Sequence, residues 1–233
     1  MRWPIAAFLC LLPCVPAAAA PDVADLAIAL AVDASGSVDD EEYRLQIEGI
    51  AFGFRDPAVR NAIRSGPSHR IAVNLVVWAE PAVPKDMSGW YLIESDADAD
   101  RFAAVVESFP RRVTGATGIG EGIASALRSF DGNGITASRE VVDVSGDGRE
   151  TPPREMTVLM PQARAMALAR RVTLNGLAIL NEDPGLAEWY RRWVQAGTGS
   201  FTMSVSRYED FAEAMRRKLI REIEYRPRLT EAQ

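Results

Sequence analysis

Five side chains able to hold a divalent cation stand at three distant places in this 233-residue chain. Asp33, Ser35 and Ser37 alternate within DASGS, Thr117 lies in RRVTGATGIGEG, and Asp147 precedes Gly148 in VVDVSGDG. Together they offer two carboxylates and three hydroxyls, with neither histidine nor cysteine among them. Hard oxygen donors of this kind suit Mg²⁺, Mn²⁺ or Ca²⁺ rather than zinc or copper, and a small octahedral ion fits best. Gly36 permits the tight turn that such alternation needs.

Side chains so far apart can act together only if the fold brings their loops to one place. The chain alternates apolar runs of strand length with amphipathic segments of helix length. Buried strands are expected at 26–32, 71–79, 141–145, 172–180 and 200–205, with a short edge strand at 90–93. Tyr43, Ile47, Ile50 and Phe54 recur at helical spacing, as do Phe102, Val105, Val106 and Phe109, and Ile119, Ile123, Ala126 and Phe130. Further helices are expected over 161–171, 186–196 and 207–223. This order implies an α/β fold, a doubly wound and mostly parallel six-stranded sheet flanked by helices, because parallel neighbours need right-handed crossover connections. Ligands of such sheets collect beyond the carboxyl ends of the strands, near the point where strand order reverses. Asp33, Thr117 and Asp147 all follow or precede elements at that edge.

In this arrangement the residues resemble the metal-ion-dependent adhesion site of von Willebrand factor type A domains, written Asp-x-Ser-x-Ser, then Thr, then Asp-Gly. The resemblance covers about residues 25–223. It implies that Ser35, Ser37 and Thr117 give hydroxyl oxygens directly to the ion, while Asp33 and Asp147 act mainly through bound water. It also implies a partner protein presenting an Asp or Glu carboxylate, and hence binding rather than catalysis. Thr114 is the fallback for Thr117, and Ile119 departs from the Thr-x-Thr-Gly of the family. VVDVSGDG, LAILNEDP and FAEAMRRKLIREIE further resemble a bacterial subgroup of exported proteins with this domain.

Competing readings exist for each piece. Ser37 or Asp39 could serve as a helix N-cap, and Asp39, Asp40, Glu41 and Glu42 complement a helix dipole in any case. GATGIGEG could suggest a dinucleotide loop, but that loop belongs directly after the first strand, where acidic residues stand instead. Asp143, inside a strand buried on both faces, must be paired, and a structural bond to a neighbouring loop or helix terminus is expected. His69 lies in a turn-like segment and is expected to be solvated. At the rim, Arg149, Glu150, Arg154, Glu182 and Asp183 are the candidates for partner selectivity.

The N-terminus reads as a secretory signal over residues 1–20, with Arg2, an apolar core and AAAA before cleavage, leaving a domain at 21–233. Both cysteines, Cys10 and Cys14, lie inside it, so the exported chain holds no disulfide and no thiol catalyst; a lipid anchor at Cys14 is opposed by Pro13. No later apolar run approaches the ~18 residues of a membrane span. Loss of Arg2 leaves 25 basic residues against 32 acidic, a formal charge of −7, and no concentrated basic face for nucleic acid. The expected location is periplasmic or secreted. The expected function is an exported, metal-dependent protein-binding module. The alternative is a metal-dependent hydrolase or phosphatase with Asp33 as nucleophile, for which no base is evident.

Overall fold

The computed structural model describes residues 22–152 and 156–226. The expected signal segment, Cys10, Cys14 and Arg154 lie outside the described residues. In chain order the strands are β1 (Asp22–Ala24), β2 (Leu26–Asp33), β3 (Ile71–Trp78), β4 (Asp86–Ile93), β5 (Ile135–Ala137), β6 (Glu140–Gly146), β7 (Thr173–Ile179) and β8 (Thr202–Val205). The helices are α1 (Asp40–Arg55), α2 (Pro57–Arg64), α3 (Asp96–Glu107), α4 (Ile119–Ser129), α5 (Met160–Arg170), α6 (Leu186–Trp189) and α7 (Phe211–Glu224).

Six strands form one sheet in the order β4-β3-β2-β6-β7-β8. All neighbours are parallel except β4, which runs antiparallel to β3 at the edge. The chain leaves β2 toward β3 on one side and returns to β6 on the other, so strand order reverses between β2 and β6. That places the crevice at the ends of those two strands, beside Asp33 and Asp147.

Both faces of β2 are covered, which is why it reads as an unbroken apolar run. Leu26, Ile28, Leu30 and Val32 join a core with Ile50 and Phe54 of α1, Phe102 of α3 and Leu219 of α7. Ala27, Ala29 and Ala31 join a second core with Ile119, Ile123 and Leu127 of α4 and Ala163 and Ala167 of α5. Phe54 and Phe102 meet edge to face at 4.8 Å. Helix α1 begins with a capping box: Asp39 accepts from the Glu42 N–H and Glu42 accepts from the Asp39 N–H, each at 2.8 Å.

Several boundaries differ from expectation. The edge strand β4 has eight residues, Asp86–Ile93, because its half-polar start hides the pattern. Helix α2 is an addition; Asp56 caps it and Pro57 opens it one residue after α1 ends. Helix α3 ends at Glu107, so Phe109 packs on the core from the following loop. The expected 186–196 helix is α6 followed by a π turn at Tyr190–Val194. A 3₁₀ turn at Tyr208–Asp210 precedes α7. The two short strands β1 and β5 form a separate parallel pair that three-residue patterns could not announce.

Candidate functional site

At the end of β2 the chain folds back at once: the Ser35 N–H donates to Asp33 Oδ1 at 2.7 Å. The Gly36 N–H donates to the Gly115 carbonyl at 2.7 Å, and a Cβ at Gly36 would press on that oxygen at 3.3 Å. The first loop is thereby tied to the one leading into α4. Ser37 Oγ donates to Asp147 Oδ1 at 2.8 Å and lies 3.3 Å from Ser35 Oγ. Thr117 Oγ1 lies 3.4 Å from Ser35 Oγ. The loop after β6 closes the ring, since the Thr151 N–H donates to the Thr117 carbonyl at 2.9 Å and the Thr117 N–H donates to the Thr151 hydroxyl oxygen at 3.3 Å. Asp33, Ser35, Ser37, Thr117 and Asp147 are therefore brought together, whereas Thr114 stands exposed. With Asp39 serving as the cap of α1, Ser37 is free to face Asp147.

Asp33 and Ser35 are wholly buried and Asp147 is 1% exposed. Asp33 Oδ2 and Asp147 Oδ2 accept no hydrogen bond, and neither acid is ion-paired with a lysine or arginine among the described residues. Burial, and next the charge of Asp147, push the Asp33 carboxyl up to about 7. The phenols of Tyr190 and Tyr208 are raised by burial and by these same two acids. Gly146 makes the approach of Tyr190 possible: a Cβ there would stand 2.7 Å from Asp33 Oδ2 and 2.9 Å from the Tyr190 hydroxyl. No group of three His, Cys, Asp or Glu side chains forms a metal cluster among the described residues. The donor set here is different in kind, two acids with unused oxygens and three hydroxyls, and it fits a hard divalent cation.

The rim residues are placed less uniformly. Arg149 pairs with Asp183 at 2.6 Å, and that contact holds the Asp183 carboxyl below its usual range. Glu150 is turned inward, accepting from the Gly120 N–H at 2.9 Å and the Met160 N–H at 3.0 Å. It thereby fastens the starts of α4 and α5. Glu182 is exposed.

Three side chains at the site escaped the sequence reading. Gln46, buried on α1, donates to the Asp33 carbonyl at 3.0 Å. Its signal was a polar residue on the apolar stripe of Tyr43, Ile47 and Ile50. Tyr190 had none, because it reads as an ordinary core aromatic. Arg111 reads as a loop charge, yet it faces the backbone of the first loop.

A second buried polar group lies on the α7 side of the sheet. Lys218 Nζ is 2.6 Å from Asp143 Oδ1, outside hydrogen-bond alignment, and 2.7 Å from Glu222 Oε1. Asn175 donates to Glu222 at 2.7 Å and accepts from the Phe201 N–H at 3.0 Å. Asp143 is thus paired structurally, as expected, but with the middle of a helix rather than its end. His69 is exposed, with φ of 58° and Nδ1 2.6 Å from the Arg64 carbonyl.

The family model described as a protein of unknown function, DUF1194, matches residues 22–227. None of the curated proteins is similar in sequence. Among solved structures, the chain is similar to the vWF domain of the type V pili tip protein Mfa5 from Porphyromonas gingivalis, with TM-score 0.56 and 10% identity over 91% of this chain and 99% of that one. It is similar to the pilus adhesin SpaC from Lactobacillus rhamnosus GG, with TM-score 0.61 and 13% identity over 86% and 30%. It is also similar to proximal thread matrix protein 1 of the mussel byssus, with TM-score 0.53 and 15% identity over 88% and 47%. The chain spans less than half the length of the last two. At these identities the likeness establishes a von Willebrand factor type A-like fold. No described helix is long and apolar enough to cross a membrane.

Proposed function

The chain belongs to the DUF1194 family and has a von Willebrand factor type A-like fold, and on that premise we propose an exported, metal-ion-dependent protein-binding module. Ser35, Ser37 and Thr117 hold Mg²⁺, or Mn²⁺ or Ca²⁺ in its place, through their hydroxyls, and Asp33 and Asp147 act through bound water. Once bound, the ion supplies an electrophilic position for the Asp or Glu carboxylate of a partner. The protein's own task is to keep two acids close and buried without pairing either with a basic side chain. Asp33 is held by the Ser35 N–H, Asp147 by the Ser37 hydroxyl, and the three loops by their mutual bonds.

One observation carries this reading: two buried carboxylates share a site whose neighbours are hydroxyls and phenols, with no basic side chain to compensate them. An uncompensated pair of this kind costs several kcal/mol, and a divalent cation offsets that cost. Export is supported by the signal-like N-terminus, and protein binding by the pilus and adhesin relatives of the fold.

A peptide array offering Asp and Glu beside matched Asn and Gln sequences tests it. Retention in Mg²⁺, loss in chelator, loss with the amide sequences and loss in Asp147→Ala are the expected results. Retention indifferent to chelator and to the amide exchange contradicts the reading.

A further inference from the structure

We propose that Arg111 determines which divalent ion the site prefers, by keeping the carbonyl oxygens of the first loop turned away from it; this rests on the metal-site reading above. Arg111 stands in the same connection as Thr117, between α3 and α4, with its side chain 17% exposed. Its Nη2 donates to the carbonyls of Ala34 at 3.3 Å, Ser35 at 3.1 Å and Val38. Its Nη1 donates to Asp40 at 2.8 Å, and the guanidinium lies over the Tyr43 ring at 5.9 Å. The Ser35 carbonyl also accepts from the Val38 N–H at 3.1 Å, and the Asp33 carbonyl from Gln46 at 3.0 Å.

Four carbonyls of the segment from Asp33 to Val38 are therefore already committed to protein donors. Besides the side chains of Asp33, Ser35 and Ser37, that leaves an ion only the carbonyls of Gly36 and Ser37 in this segment. This distinction matters because the two commonest hard cations differ in what they accept. Ca²⁺ takes six to eight oxygens, readily including backbone carbonyls, in a flexible shell; Mg²⁺ demands a small octahedron and few protein ligands. A loop with most of its carbonyls fixed elsewhere has little room to swell its coordination or bend to a larger ion. Arginine adds a second arm that a lysine lacks, since Nη2 meets the three carbonyls while Nη1 reaches Asp40. Asp40 offsets the positive charge, so the guanidinium sits near the cation site without adding a full unit of repulsion.

Titration calorimetry with Mg²⁺ and with Ca²⁺ on wild type, Arg111→Met, Arg111→Lys and Asp40→Asn tests this. Arg111→Met is expected to weaken Mg²⁺ about tenfold, the scale on which residues supporting a metal site act, and to weaken Ca²⁺ less, shifting the preference toward Ca²⁺. Arg111→Lys falls between, and Asp40→Asn changes both ions by one small factor. Amide hydrogen exchange at Gly36 and Val38, measured in chelator, should quicken in Arg111→Met. An ion preference unchanged in both Arg111 variants, or loop amides unchanged in chelator, overturns the inference while leaving the site intact. Wild type that takes up neither ion overturns the site reading and this inference with it. If Arg111→Met does not fold, Arg111→Lys alone decides on the same ratio.

Discussion

The sheet holds two buried pairs of carboxylates, and they are built on opposite plans. Asp143 and Glu222 lie on the α7 side with Lys218 between them, at 2.6 and 2.7 Å, and Asn175 completes the group. Asp33 and Asp147 lie at the carboxyl edge, surrounded by hydroxyls and phenols, and no ammonium or guanidinium is paired with either. In one pair the chain supplies its own cation; in the other no basic side chain is paired with either acid among the described residues. A fold able to bury a lysine against one acid pair has not done so at the other. On the proposed reading the pair at the carboxyl edge takes an outside ion, whereas Asp143 and Glu222 with Lys218 fasten α7 to β6 and β7.

The contrast breaks most visibly at the fastening. Lys218→Met leaves two buried acids uncompensated and is expected to cost about 3–5 kcal/mol at pH 7.5 in urea unfolding. A loss under about 1 kcal/mol would mean that the pair is not held as charges at all. At the carboxyl edge the sign reverses. In chelator, Asp33→Asn is expected to stabilise the protein by on the order of 2 kcal/mol at pH 7.5, because an amide replaces a buried charge while its oxygen still accepts from the Ser35 N–H. The same variant loses the rise in melting temperature that Mg²⁺ gives wild type. Destabilisation by Asp33→Asn in chelator would remove the argument that this acid is uncompensated.

The pH dependence sharpens the comparison further. One lysine between two acids leaves an acid in excess, and burial, with the charge of Asp143 next, pushes the Glu222 carboxyl from 4.5 to about 7. Glu222 therefore binds its proton more tightly in the folded protein than in the unfolded chain. Its contribution to stability is fully present below about pH 4.5 and is lost as pH rises through about 7. Denaturation across that window should show a decline on the order of 3 kcal/mol that Glu222→Gln removes; an identical slope in both proteins would contradict this. The smallest effect belongs to a pair in solvent: Arg149→Ala, which breaks the exposed contact with Asp183, should shift stability by less than about 1 kcal/mol.

What could be read in advance follows from how local each signal is. Four apolar runs announced β2, β3, β6 and β7 because burial on both faces leaves no alternation to confuse. Asp33, Ser35 and Ser37 were legible as a short pattern after such a strand, and Thr117 and Asp147 because parallel sheets bring loop ends to one edge. Helix α2 was hidden because Asp56 caps it directly where α1 stops, so the two read as one amphipathic stretch. Lys218 and Glu222 look like an ordinary solvated pair four residues apart on a helix; only the tertiary fold reveals that Asp143 lies opposite. Arg111 was illegible for a related reason. Its partners are backbone carbonyls more than seventy residues away, and carbonyls leave no trace in a sequence.

Mn²⁺ binding followed by electron paramagnetic resonance, with Mg²⁺ as competitor, is the most direct test that the acid pair at the carboxyl edge awaits a cation. The account predicts one saturable Mn²⁺ per chain, displaced by Mg²⁺ and absent from the Asp33→Ala, Asp147→Ala double variant. A free-ion signal that wild type never diminishes, or binding that survives intact in the double variant, would contradict it.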